Sequence, residues 1–147
     1  MILHKVVATR APGAVILIRL AVGVVFLSEG IQKFLFSGEL GAGRFAKIGL
    51  PNPEFLGPFV GTFEIACGAA VLAGLLTRLA AAPLITIMLV ALTTTKVPIL
   101  VNKGFWTMAH EARTDWSMLL GSIFLLIVGA GPWSLDRFLG SRSAPRK

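Results

Sequence analysis

The chain predicts an all-α membrane protein, a four-helix transmembrane bundle, and three observations carry that prediction. Residues are 55% hydrophobic with a mean hydropathy of +0.81, only 14% are charged, and apolar runs of near-spanning length alternate with short stretches rich in glycine and proline. Soluble domains hold about 25% charged residues, and one bilayer crossing takes about 20 predominantly apolar residues.

The first helix is expected over residues 13–36, opened by Pro12 in the position that suits proline and closed by Ser37 and Gly38. It carries Arg19, Glu29 and Lys33 inside apolar sequence, and such charges are costly in hydrocarbon unless they face protein or water. Arg19, Gly23, Phe26, Gly30 and Lys33 step by four, three, four and three residues, so they share one face. Glu29 lies at the edge of that face, one turn before Lys33. The run is too long and too charged at its end for a cleaved signal, and reads as a retained helix.

A polar connection follows, with a short amphipathic piece at residues 40–48 and the breaker Gly49-Leu50-Pro51-Asn52-Pro53. The second helix is expected over residues 54–76. In it Gly57, Gly61, Glu64 and Gly68 share one face, and the small-xxx-small spacing of Gly57 and Gly61 lets two backbones approach closely in lipid. The face that packs therefore carries a carboxylate.

A tight turn at Thr77 and Arg78 leads to a third helix over residues 79–100, with Thr93, Thr94, Thr95 and Lys96 near its far end before Pro98. Threonine hydroxyls can bond preceding carbonyls, which makes them tolerable at membrane depth. Residues 101–113 read as an interfacial connection anchored by Phe105 and Trp106. The fourth helix, residues 114–130, opens with Thr114 as its cap and Asp115 in its first turn. Residues 1–147 form a single domain in this reading, and residues 138–147 are a basic tail expected to be disordered.

Four spans place both termini on one side, with Lys5, Arg10, Arg78, Arg137, Arg142, Arg146 and Lys147 there against Arg44, Lys47, Lys103 and Arg113 opposite. Seven basic residues against four predict that both termini are cytoplasmic, in a bacterial inner membrane. The net charge of +7 comes largely from loops and tails rather than from a basic polar face, so the expected contacts are anionic membrane lipid and no nucleic acid. Cys67 is the single cysteine, so neither an intramolecular disulfide nor a cysteine zinc site is available. No phosphate-binding loop, dinucleotide fingerprint, nucleophile elbow or HExxH is present.

Depth decides which charges can meet. At about 1.5 Å per residue, Glu29 lies roughly 10 Å and Lys33 about 5 Å below the outer end of the first helix. Glu64 lies roughly 14 Å below that end of the second helix and Lys96 about 6 Å below that of the third, while Asp115 opens the fourth. Each helix thus brings an ionisable group to the outer half, and Arg19 stands apart toward the inner half. Two accounts follow. Lys33 with Glu29 or Glu64, and Lys96 with Asp115, neutralise one another and only fix helix register. Alternatively, the five line a polar pocket for the head of an apolar ligand such as a quinone, or for passing protons. His110 at the interface reads as a solvated histidine, with Glu111 and Asp115 as its nearest possible companions, and no metal site is expected.

Arg19-Leu20-Ala21-Val22-Gly23, Gly30-Ile31-Gln32-Lys33, Gly49-Leu50-Pro51, Glu64 followed by Gly68, Gly74-Leu75 with Thr77-Arg78, and Gly131-Pro132-Trp133-Ser134-Leu135-Asp136 appear in that order. This series resembles the DoxX family of small bacterial four-helix membrane proteins, over about residues 15–137. The resemblance implies a subunit tied to quinone-linked sulfur oxidation or to oxidant defence, more an accessory protein than a stand-alone enzyme. It also implies that Arg19, Lys33 and Glu64 occupy the family's usual charged positions. Glu29 stands where many relatives have a neutral polar or aromatic residue, and the acidic residue opening the fourth helix is Asp115. The expected partner is a membrane redox protein or a second copy of the chain, and the rival roles are a non-catalytic assembly scaffold and a proton or small-solute pathway.

Overall fold

A computed structural model describes residues 12–142, so His4, Lys5 and Arg10 lie outside the described range. Helix α1 spans Val15–Leu35, α2 Ala42–Lys47, α3 Pro53–Ala73 and α4 Thr77–Ala91. A π-helical turn, Leu92–Lys96, leads from α4 into α5 (Val97–Lys103), followed by α6 (Phe105–Glu111), α7 (Arg113–Val128) and α8 (Leu135–Arg142). No strand occurs among the described residues.

Three helical runs are long and apolar enough to cross a membrane: Val15–Leu35, Pro53–Ala73 and Thr77–Lys103. Helix α7 is also apolar but has 16 residues, about 24 Å at 1.5 Å per residue. Large side chains such as Leu17, Val24, Leu79 and Ile127 point away from the packed interior, as a hydrocarbon solvent permits.

The helices associate mainly as two pairs, α1 with α3 and α4 with α7. Glycine decides the first pair. A Cβ on Gly30 would stand 2.7 Å from the Gly61 carbonyl oxygen, and one on Gly68 would stand 2.7 Å from the Leu27 nitrogen. The two backbones therefore touch, which is how apolar helices gain van der Waals contact where no water is expelled. The buried faces, Arg19, Gly23, Phe26 and Gly30 on α1 and Gly57, Gly61, Glu64 and Gly68 on α3, are those that the spacing predicts. Val22, Phe26, Val71, Leu84 and Leu125 form the centre of the core. Gly30→Leu is expected to lower the thermal unfolding midpoint in detergent by the equivalent of about 1–3 kcal/mol of overpacking. Gly38→Ala, where a Cβ meets nothing within 4 Å, should leave that midpoint unchanged.

Several boundaries differ from the sequence expectation. Helix α3 stops at Ala73, not at residue 76, because Gly74 turns the chain with φ +66°. Thr77 and Arg78 accordingly begin α4 rather than forming the turn. Residues 101–113 are mostly helical, interrupted at Gly104 (φ +84°) and Ala112. Helix α7 starts at Arg113 behind Ala112, without a side-chain cap, so Thr114 is not its N-cap. Helix α8 occupies residues 135–142, where a disordered tail is expected from residue 138, and residues 143–147 lie outside the described range.

The π-helical turn has a local cause. Pro98 has no N–H to bond the carbonyl four residues back, and its ring crowds that carbonyl, so the hydrogen-bond ladder loses its α register just before it. Thr93, Thr94 and Thr95 return their hydroxyls to the carbonyls of Leu89, Val90 and Ala91. The turn ends on Lys96, which is buried.

Candidate functional site

The α1–α3 and α4–α7 pairs are joined firmly at one end of the molecule and enclose a cavity of about 510 Å³ toward the other. Glu29, Lys33, Glu64, Lys96 and Asp115 all line it. Lys33 sits in the last turn of α1 and reaches across the glycine-packed interface, where its Nζ lies 2.7 Å from Glu64 Oε2. Glu29 Oε2, one turn back on the same helix, is 3.8 Å from that Nζ. The Lys33 and Glu64 side chains are 10% and 3% exposed, whereas Glu29 is 50% exposed. The cross-helix pair is thus the desolvated one, and Glu29 completes it from the wet side.

On the opposite wall, Lys96 Nζ lies 3.3 Å from Asp115 Oδ2 and ties the π-helical turn to the first turn of α7. The remaining surface is largely apolar, with Phe26, Val60, Ile87 and Met118 among the lining residues. Phe45 and Ile48, from α2 and the residue that ends it, cover one side. An apolar chamber with two polar pairs is the arrangement that holds an amphiphile by burying its body and orienting its head.

Sequence reasoning does not single out Arg44, Thr94, Thr95 or Thr114 as lining residues, yet all four face the cavity. The amphipathic stretch at residues 40–48 is the available signal for Arg44. The threonines become lining residues through the π-helical turn and the early start of α7, neither of which periodicity shows.

Arg19 belongs to the other end of the molecule and is buried. Its Nε donates to the Val71 carbonyl at 2.9 Å, Nη2 to that of Leu72, and Nη1 to those of Ala130, at 3.3 Å, and Trp133. One guanidinium thereby satisfies carbonyls at the end of α3 and in the segment after α7. Asp136, which the sequence reading leaves without a role, completes this clasp. Its Oδ1 accepts the Leu76 N–H at 2.6 Å and its Oδ2 the Thr77 N–H at 3.0 Å. Leu76 has φ +48°, rare for a residue with a Cβ, and the carboxylate holds the chain there while capping α4. His110 is exposed in the last turn of α6, where its carbonyl accepts from Arg113 Nη1, and it does not line the cavity. Among the described residues no group of His, Cys, Asp or Glu side chains is arranged to hold a metal ion.

The membrane protein Rv3486 of Mycobacterium tuberculosis is 52% identical over 145 residues, which cover 95% of this chain and 89% of that protein. The Bacillus subtilis protein named "Putative oxidoreductase CatD" is 30% identical over 127 residues, 84% of this chain and 85% of its own length. No solved structure matches. The DoxX family model matches residues 14–97, which contain α1, α3, the π-helical turn and every ionisable lining residue except Asp115. The chain, an integral membrane protein with several apolar helices, belongs to the DoxX family.

Proposed function

We propose that the protein is a four-helix transmembrane bundle of the bacterial inner membrane, with α7 as its fourth span and both termini cytoplasmic. Its cavity, in the outer half, binds the polar head of a quinone-like or other apolar ligand. In this reading the chain is an accessory subunit of a membrane redox or oxidant-defence system. The observation that carries it is the convergence of Glu29, Lys33, Glu64, Lys96 and Asp115, from α1, α3, the π-helical turn and α7, on a single largely apolar cavity. Intramembrane charges are expensive and tend to mark functional sites, and a relative 30% identical to this chain carries the name of an oxidoreductase. The shortness of α7 is compatible with a crossing, since a bilayer thins locally around a short span at modest cost.

Purification in mild detergent followed by mass spectrometry of the extracted small molecules tests the reading. A quinone or related amphiphile is expected to co-purify stoichiometrically with the wild type and to be depleted in Glu64→Gln at unchanged fold. An empty protein, or equal ligand content in both, refutes it. The scaffold reading is favoured by one specific observation, the mutual neutralisation of Lys33 with Glu64 and of Lys96 with Asp115, and it predicts the empty protein.

A further inference from the structure

Residues that line the cavity and are also exposed on the outside of the molecule mark its mouths. On α3 and α4 these are Phe59, 46% exposed, and Val90, 45% exposed, together with Thr86. The Thr86 hydroxyl is spent on the Ala82 carbonyl at 3.1 Å, so this edge presents no unpaired side-chain group. The other exposed lining residues, Glu29, Arg44 and Thr114, come from α1, α2 and α7 and are all polar. The exposed lining is therefore polar on α1, α2 and α7, and apolar or internally hydrogen-bonded on α3 and α4. The turn at residues 74–76 joins α3 and α4 at the ends far from Phe59 and Val90.

We propose that the cavity is entered sideways from the bilayer, through a gap between α3 and α4 at Phe59 and Val90. Its ligand is then a membrane-dissolved amphiphile whose tail remains in the gap while its head lies at the Lys33–Glu64 and Lys96–Asp115 pairs. The inference rests on the ligand-binding reading above and adds the route, the need for a tail and two residues that set specificity. A water-borne solute has no use for a gap walled by Phe59 and Val90, since apolar side chains facing lipid offer it no hydrogen bond. A tailed molecule gains from that wall, because each methylene it buries adds to affinity. Phe59 is also held in a ladder, its ring centroid 5.4 Å from that of Phe55 and 5.0 Å from that of Phe63, so the gap has one stiff side.

The full chain, reconstituted in phosphatidylcholine vesicles, is titrated with a decyl-tailed benzoquinone and with its tail-less parent, binding being read by quenching of tryptophan fluorescence. Val90→Trp narrows the gap and Val24→Trp places the same bulk on an exposed position of α1 away from the cavity. Expected is at least a tenfold loss of affinity for the tailed quinone in Val90→Trp alone, with the tail-less quinone unaffected, and a gain for the tailed quinone in Phe59→Ala. Equal losses for both quinones, or no loss for the tailed one, overturn the lateral route while leaving the cavity as a binding site. Failure of the wild type to bind either quinone overturns the site and the route together.

Discussion

Lys33→Met is expected to destabilise the protein by about 3–5 kcal/mol, because it leaves the Glu64 carboxylate buried without its partner. The Glu64 side chain is 3% exposed and its ion-pair partner is Lys33 Nζ at 2.7 Å. Removing the other member is a milder change. In Glu64→Leu, Lys33 keeps Glu29 one turn away, and that carboxylate is half exposed. The double variant Lys33→Met/Glu64→Leu should recover most of the stability lost in Lys33→Met, since an apolar pair of similar volume often replaces a buried ion pair at little cost. Unfolding of the four proteins in mixed detergent micelles measures the cycle, and near-additive losses would mean that the two side chains do not act as a pair.

The second large effect belongs to the opposite end. Arg19→Met withdraws donors from the carbonyls of Val71, Leu72, Ala130 and Trp133; Val71 keeps the Gly74 N–H at 3.1 Å, and at about 1–3 kcal/mol for each of the other groups left unsatisfied the loss should reach about 3 kcal/mol. Arg19→Lys should restore only part of it, because one ammonium cannot copy a planar fork that serves carbonyls on two segments. The same unfolding measurement applies, with hydrogen exchange at residues 71–77 as a local readout. A variant Arg19→Met as stable as wild type would show that these carbonyls find other donors. The contrast between the two ends matters for function: the Arg19 and Asp136 clasp binds the helix pairs at one end, and the cavity opens where the described residues form no such clasp.

What was legible in the sequence follows from periodicity and rise. Steps of three and four bring Gly23, Gly30 and Lys33 onto one side of α1 and Gly61, Glu64 and Gly68 onto one side of α3, and those sides meet. A rise of about 1.5 Å per residue was enough to bring Glu29, Lys33, Glu64, Lys96 and Asp115 to the same half of the bundle, and they line one cavity. What remained hidden depends on contacts between distant residues or on single backbone angles. Asp136 caps a helix that starts 59 residues earlier in the chain, which no local pattern records. Arg19 donates its hydrogen bonds to backbone carbonyls, and side-chain charge says nothing about that choice. The end of α3 turns on Gly74 rather than on the last apolar residue, and the π-helical turn depends on Pro98 together with three threonines that each also suit an ordinary helix.

Lys96 offers the most direct test of the claim that the cavity is a ligand site, because its pair with Asp115 is less buried than that of Lys33 with Glu64 and can be removed at smaller structural cost. Detergent-purified wild-type protein and Lys96→Met are titrated with a decyl-tailed benzoquinone, and unfolding is followed in parallel. The ligand-site reading predicts saturable one-to-one binding by the wild type and at least tenfold weaker binding by Lys96→Met at near wild-type stability. Absence of saturable binding, or equal affinity in the two proteins, would contradict it.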